Sequence, residues 1–193
     1  MIDVLVLLGN PGAQYHRTRH NVAWLLAERI EALRGATRQR KFLADYAAVG
    51  WGASRIHVLW PQTFMNRCGE SVGRLCAFLR VDPRRVLVVH DELELPFGTI
   101  ALRRGGGLGG HNGLKSLRSA LATADFLRLR IGISRPGHGN VSAYVLSRFA
   151  PDQEAVLHQV LDAAARAVER CVQAADATQQ EAVLRDYARV EVL

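Results

Sequence analysis

The chain has 193 residues, of which 49% are hydrophobic and 22% charged, and its formal net charge is +7. That length buries one good core without requiring a second domain, and no uncharged apolar run approaches the roughly 18 residues a membrane span needs. Cys68, Cys76 and Cys171 show neither CxxC spacing nor a disulfide pattern, so they are expected as small core residues of a protein from a reducing, cytoplasmic compartment.

The start, MIDVLVLL, carries Asp3 and no basic leader, which sets the expectation of a soluble, untargeted chain. Val4 to Leu8 is a short apolar run stopped by Gly9-Asn10-Pro11-Gly12, residues that turn the backbone cheaply, so a buried strand is expected to end in a polar elbow. Asn10, Tyr15, His20 and Asn21 follow that strand's carboxyl end, where open α/β sheets bind their ligands. His20 to Leu33 has the period of an amphipathic helix, and Arg34 to Lys41 is expected as a basic loop. Tyr46 to Trp51 and Ile56 to Trp60, joined at Gly52 to Ser54, look like a hairpin. Gln62 to Asn66 leads into a helix with Cys68, Val72, Leu75 and Leu79 on one face, closed by Asp82-Pro83. Val86 to Val89 reads as a strand covered on both faces and delivers His90-Asp91-Glu92 at its end. Thr99 to Arg104 forms a further strand; Gly105 to Gly110 is a glycine loop before a helix from His111 to Leu121. Phe126 to Ile133 alternates apolar residues with Arg128 and Arg130, a strand with one basic-lined face. Arg135 to Asn140 is a loop, Asp152 to Ala175 a long helix after Pro151, and Gln179 to Arg189 a last short one. Strands interleaved with helices, one pair of them a hairpin, predict an α/β fold: a single domain over 1–193 whose twisted mixed sheet is flanked by helices, with the helical segment from about 152 packed on it.

Charge is unevenly placed. Residues 95–150 hold eight basic residues against Asp125 alone, whereas residues 151–193 hold four arginines against eight carboxylates. A basic middle suits a polyanion laid on one region, and on charge alone a non-catalytic RNA-binding module is a complete alternative to an enzyme.

Among motifs, Gly105 to Gly110 satisfies G-x-G-x-x-G, yet the dinucleotide fingerprint wants an acid about 20 residues on at a strand end, and Asp125 precedes its strand. A flexible loop whose amides, with Arg103 and Arg104, meet phosphates is the better reading. Asn10, Asn66 and Asn112 all fall at element ends, where each caps a helix or contacts a ligand. Zinc is conceivable from His20, His90, Asp91 and His111, but no recognised ligand spacing is present; no GxSxG elbow supports a serine hydrolase. The remaining pair is His20 and Asp91. A carboxylate that accepts from one imidazole nitrogen fixes the tautomer and leaves the other to take a proton from water.

Read together, GNPGxxYxxTRHN at 9–21, QTFMNxxGxSV at 62–72, HDELxLPxG at 90–98, GGxGGHNGLKS at 106–116 and LRIGISRPG at 129–137 resemble the bacterial-type peptidyl-tRNA hydrolases. The resemblance implies a cofactor-free, metal-independent monomer with a phosphorylase/hydrolase-like α/β fold that cleaves the ester between peptide and the terminal ribose of tRNA. It implies His20 as general base, Asp91 as its orienting partner and Asn112 as the holder of the catalytic water. Asn10 and Asn66 would hold the peptide and the terminal nucleotide, Phe64 and Met65 would border the peptide channel, and Tyr15 would support the 3′ end. Arg103, Arg130 and Lys115 would contact tRNA phosphates. Leu108, at a position often polar in the family, and a short loop at His138 to Val141 without the usual lysine depart from the pattern.

Overall fold

The computed structural model describes residues 1–52 and 54–192; Ala53, inside the expected hairpin turn, and Leu193 lie outside them. The strands are β1 (Val4–Leu7), β2 (Gln39–Lys41), β3 (Ala44–Trp51), β4 (Ser54–Pro61), β5 (Val86–Glu92), β6 (Thr99–Arg104), β7 (Leu127–Gly132) and β8 (Val190–Glu191). The helices are α1 (Val22–Ala27), α2 (Cys68–Leu79), α3 (Asn112–Leu121), α4 (Val141–Val145), α5 (Glu154–Gln173) and α6 (Ala177–Asp186). Among the described residues the strands form one mixed sheet in the order β2-β3-β4-β1-β5-β7-β6-β8. Its centre, β4-β1-β5-β7, is parallel, and the outer pairings are antiparallel.

Both central strands β1 and β5 are buried along their whole length, which is why they read as continuous apolar runs. Successive side chains of a strand point to opposite faces, so each strand feeds two cores. Leu5, Leu7, Leu87 and Val89 join the cluster formed with α1 and α5, while Val4, Val6, Val86 and Val88 join the one formed with α2 and α3. Helix α5 buries Leu157, Leu161, Ala164, Val168 and Cys171, residues spaced three or four apart. All three cysteines are buried and unpaired. No helix among the described residues is long and apolar enough to cross a membrane.

Helices α2 and α3 meet at backbone contact. A Cβ on Gly69 would lie 2.1 Å from the Ser116 carbonyl oxygen, and the Gly69 amide donates to Ser116 Oγ at 2.9 Å. Only glycine permits this approach.

Several elements differ from expectation. The helix expected over His20 to Leu33 is split: Arg19–Asn21 is a 3₁₀ turn, α1 stops at Ala27, and an extended Ile30 leads into a second turn at Glu31–Leu33. Burial of Ile30 and Leu33 in the core outweighs continuation of the helix. Part of the basic loop at Arg34 to Lys41 is strand β2, β8 pairs with β6, and α4 follows the loop at Arg135 to Asn140. The tail helix begins with a 3₁₀ turn at Pro151–Gln153 rather than directly.

Candidate active site

The parallel strands of the sheet deliver Asn10 and Asp91 at their carboxyl ends, β1 running into the elbow and β5 still buried at its last residues. His20 arrives from the 3₁₀ turn that opens α1, Met65 and Asn66 from the turn before α2, and His111 and Asn112 from the start of α3. All these residues line one cleft of about 550 Å³, together with Phe64, Gly109, Gly110 and the apolar residues Val141, Val145 and Leu146 of the α4 segment. Five chain segments far apart in sequence thus meet at the sheet's ligand-binding edge.

Asp91, 2% exposed, is the hub. Its Oδ1 lies 2.8 Å from His20 Nδ1 and 3.0 Å from His111 Nε2. Burial opposes ionisation of this carboxyl, yet electrostatic attraction to the two imidazoles and the hydrogen bonds they make hold it well below the usual carboxylate range. An ionised carboxylate only accepts, so both rings donate to it. His111 has its other nitrogen committed as well: Nδ1 accepts from the amides of Gly113 and Leu114 at 3.1 and 3.3 Å, capping α3. That cap fixes the proton of His111 on Nε2 and makes it a permanent donor to Asp91. His20 donates through Nδ1, which leaves its Nε2 as the basic nitrogen of the constellation. The ligand-capable atoms of His20, Asp91 and His111 lie within 4.8 Å of one another. With both imidazoles donating, they form a hydrogen-bonded triad, and a metal there would have to displace both protons.

The partnership of Asp91 with His111 is the site feature that sequence reasoning missed. Of the two roles open to Asn112, the cap of α3 is taken by His111, and Asn112 is left exposed at the cleft. Asn10 caps no helix of its own either. Its Oδ1 accepts from the Met65 amide at 2.8 Å, its own amide donates to Asn21 Oδ1 at 2.9 Å, and Asn21 Nδ2 donates back to the Asn10 carbonyl at 3.0 Å. These bonds lock the elbow to the start of α2 and leave Nδ2 of Asn10 as its donor for a ligand. Asn66 is exposed in the cleft, and Tyr15 stands edge-on to Phe64 with ring centroids 6.5 Å apart. His90, beneath the triad, is buried edge-on against His111 and uses Nδ1 on the Asp91 carbonyl at 2.7 Å. Among the described residues its Nε2 is buried without a partner, and burial pushes its pKa well below the ordinary imidazole value.

The basic residues sort differently from the sequence expectation. The basic-lined face of β7 is not a free surface: Arg128, 1% exposed, donates to the carbonyls of Gly105 and Gly107 and so holds the glycine loop. Arg130 pairs with Glu92 at 2.9 Å between two largely buried side chains. Arg103 is exposed and lies under the loop, where a Cβ on Gly106 would meet its guanidinium at 2.6 Å; Lys115 is exposed on α3. Of the three expected phosphate contacts, Arg103 and Lys115 remain open to solvent, and Arg130 is engaged within the protein.

Comparison with known proteins agrees with this geometry. A family model described as peptidyl-tRNA hydrolase matches residues 4–189. A peptidyl-tRNA hydrolase of Treponema pallidum is 50% identical over 159 residues, covering 80% of this chain and 79% of the relative. One of Geotalea daltonii is 41% identical over 169 residues, covering 87% and 88%. The crystal structure of peptidyl-tRNA hydrolase from Acinetobacter baumannii superposes with a TM-score of 0.87 at 33% identity, covering 97% of this chain and 94% of that one. With the family pattern spanning nearly its full length and relatives 41–50% identical over four fifths or more of it, this chain belongs to the peptidyl-tRNA hydrolases.

Proposed function

We propose that this chain releases peptides from peptidyl-tRNA by hydrolysing the ester to the terminal ribose, with His20 as general base and Asp91 as the group that orients it. The observation that carries the proposal is the 2.8 Å contact from His20 Nδ1 to a buried, ionised Asp91, which leaves Nε2 free on the cleft side. Nε2 takes a proton from a water held by Asn112; the resulting hydroxide attacks the ester carbonyl, and the imidazolium returns its proton to the departing ribose oxygen. Asp91 balances the positive charge that His20 carries between those two transfers. Asn10 and Asn66 hold the peptide amide and the terminal nucleotide, Phe64 and Met65 border the peptide, and Tyr15 braces the 3′ end through Phe64. Arg103 and Lys115 meet phosphates of the acceptor arm. The triad is complete within one copy, which supports action as a monomer and as one domain over 1–193. Three buried thiols support residence in the cytoplasm.

The test is direct. Purified protein, with chelator present, is incubated with N-acyl-aminoacyl-tRNA and with free aminoacyl-tRNA. Cleavage of the first alone is expected, and His20→Ala should abolish it while leaving tRNA affinity in place. Salt-dependent tRNA binding by the wild type with no cleavage would favour the RNA-binding module instead. Normal turnover by the variant would remove His20 from the base role.

A further inference from the structure

Arg19, the residue before the proposed base, has no part in the chemistry described above, yet it is 7% exposed and elaborately held. Its Nη1 donates to Ser147 Oγ at 2.7 Å and to the Arg148 carbonyl, and its Nη2 donates to Gln153 Oε1 at 2.9 Å. Its guanidinium lies over the rings of Tyr144 and Phe149, 4.4 and 5.1 Å from their centroids. Its own amide donates to the Ser147 carbonyl at 3.0 Å, and Thr18 bridges to Arg148. Among the described residues no carboxylate pairs with it. A buried cation without a counter-ion is disfavoured, so the site gains nothing from charge pairing; what the guanidinium provides is a rigid fork spanning three acceptors and two aromatic faces.

All of those partners belong to one segment, Tyr144 to Gln153. That segment begins in the last turn of α4, and Val141 and Val145 of the helix, with Leu146 after it, line the cleft shared with Phe64 and Met65. Val141 and Leu146 are large apolar side chains left exposed there. Besides its link to Arg19, α4 is tied to the body of the protein by the Tyr144 hydroxyl, which donates to the Ile133 carbonyl at 2.5 Å, and by Val145, which is buried in the core.

We infer that Arg19 is a positioning residue that holds the α4 wall in place, and that this wall receives the apolar side chain of the residue esterified to tRNA. The inference rests on the ester-hydrolase reading above. Position 19 thereby links one wall of the cleft to the turn that carries His20, and its influence falls on binding of the acyl group rather than on proton transfer.

The test compares two substrates, N-acetyl-phenylalanyl-tRNA and N-acetyl-glycyl-tRNA, in wild type and Arg19→Lys, which keeps the charge but loses the fork. The expected result is a KM raised roughly tenfold for the phenylalanyl substrate, the size of a lost apolar contact, with the glycyl KM and both kcat values within about twofold. The acid limb of the kcat profile should not move. Gln153→Ala, which removes one acceptor at the rim of the segment, should shift KM with the same selectivity by a smaller factor, and it decides the matter if Arg19→Lys does not fold. An equal rise in KM for both substrates, a fall in kcat with a displaced acid limb, or unchanged kinetics in both variants would each overturn the inference. Failure of the wild type to cleave either substrate would instead overturn the reading on which it rests.

Discussion

Replacing Asp91 with asparagine removes the charge of the hub and keeps its shape, so it isolates what the carboxylate contributes. In the native site both imidazole N–H groups converge on the same oxygen, Oδ1, at 2.8 and 3.0 Å. An amide can reproduce that pattern by leaving its oxygen where Oδ1 was. It is steered to do so by His111, whose Nδ1 is occupied by two backbone amides and whose Nε2 therefore always presents a proton. The His20 tautomer survives, and what is lost is the difference between a charged and a neutral acceptor for the imidazolium. Hydrogen bonds to charged groups contribute about 1.5–3 kcal/mol against about 0.5–1.5 for neutral ones, a difference of about 1–1.5 kcal/mol, so kcat should fall by roughly five- to fifteenfold. Asp91→Ala should fall further, because it strands two buried N–H donors at about 1–3 kcal/mol each. Single-turnover release of peptide from N-acyl-aminoacyl-tRNA measures both. Wild-type rates for Asp91→Asn would show that the charge plays no part, and activity as low as that of His20→Ala would show that His111 does not hold the tautomer.

Two further outcomes are expected. His90 is buried and neutral, its pKa lowered first by burial and then by the neighbouring His111, so below about pH 6.5 the unfolded chain binds a proton that the folded chain refuses. Stability should therefore fall on acidification with a contribution of about 1.4 kcal/mol per pH unit, and Asp91, held low, should add its own loss only below about pH 3.9. Urea unfolding of His90→Gln between pH 6.5 and 4 should show that slope reduced; an unchanged slope refutes the assignment. Arg103→Ala and Lys115→Ala should weaken tRNA binding and flatten its salt dependence at constant stability, whereas Arg130→Ala strands a buried Glu92 and should lower the urea midpoint. Identical behaviour of the three would contradict the division between open and engaged cations.

The parts of the fold that the sequence announces are those whose signal is local. Continuous apolar runs mark β1 and β5, and the elbow at Gly9 to Gly12 and the pair His20 and Asp91 follow from where those strands end. Strand β2 was missed because its turn to β3 is made by Phe42 and Leu43, both at positive φ, where no Gly or Asn gives warning. Strand β8 is two residues long and α4 five, too short for any period to register. The tie between Asp91 and His111 depends on β5 and α3 reaching one edge of the sheet, and no spacing along the chain encodes that. For Arg128, alternation correctly gave the face but not its cover, since whether a cation on that face meets water or glycine carbonyls is decided by where the loop after β6 folds back.

The contact between Gly69 and Ser116 has a mechanical corollary. Because two main chains already touch there, no larger residue fits between the pieces bearing Met65, Asn66, His111 and Asn112, which together build one side of the cleft. The cleft thus has one jaw set by main-chain contact, and it faces a second, the short helix, whose place is set by the side chain of Arg19.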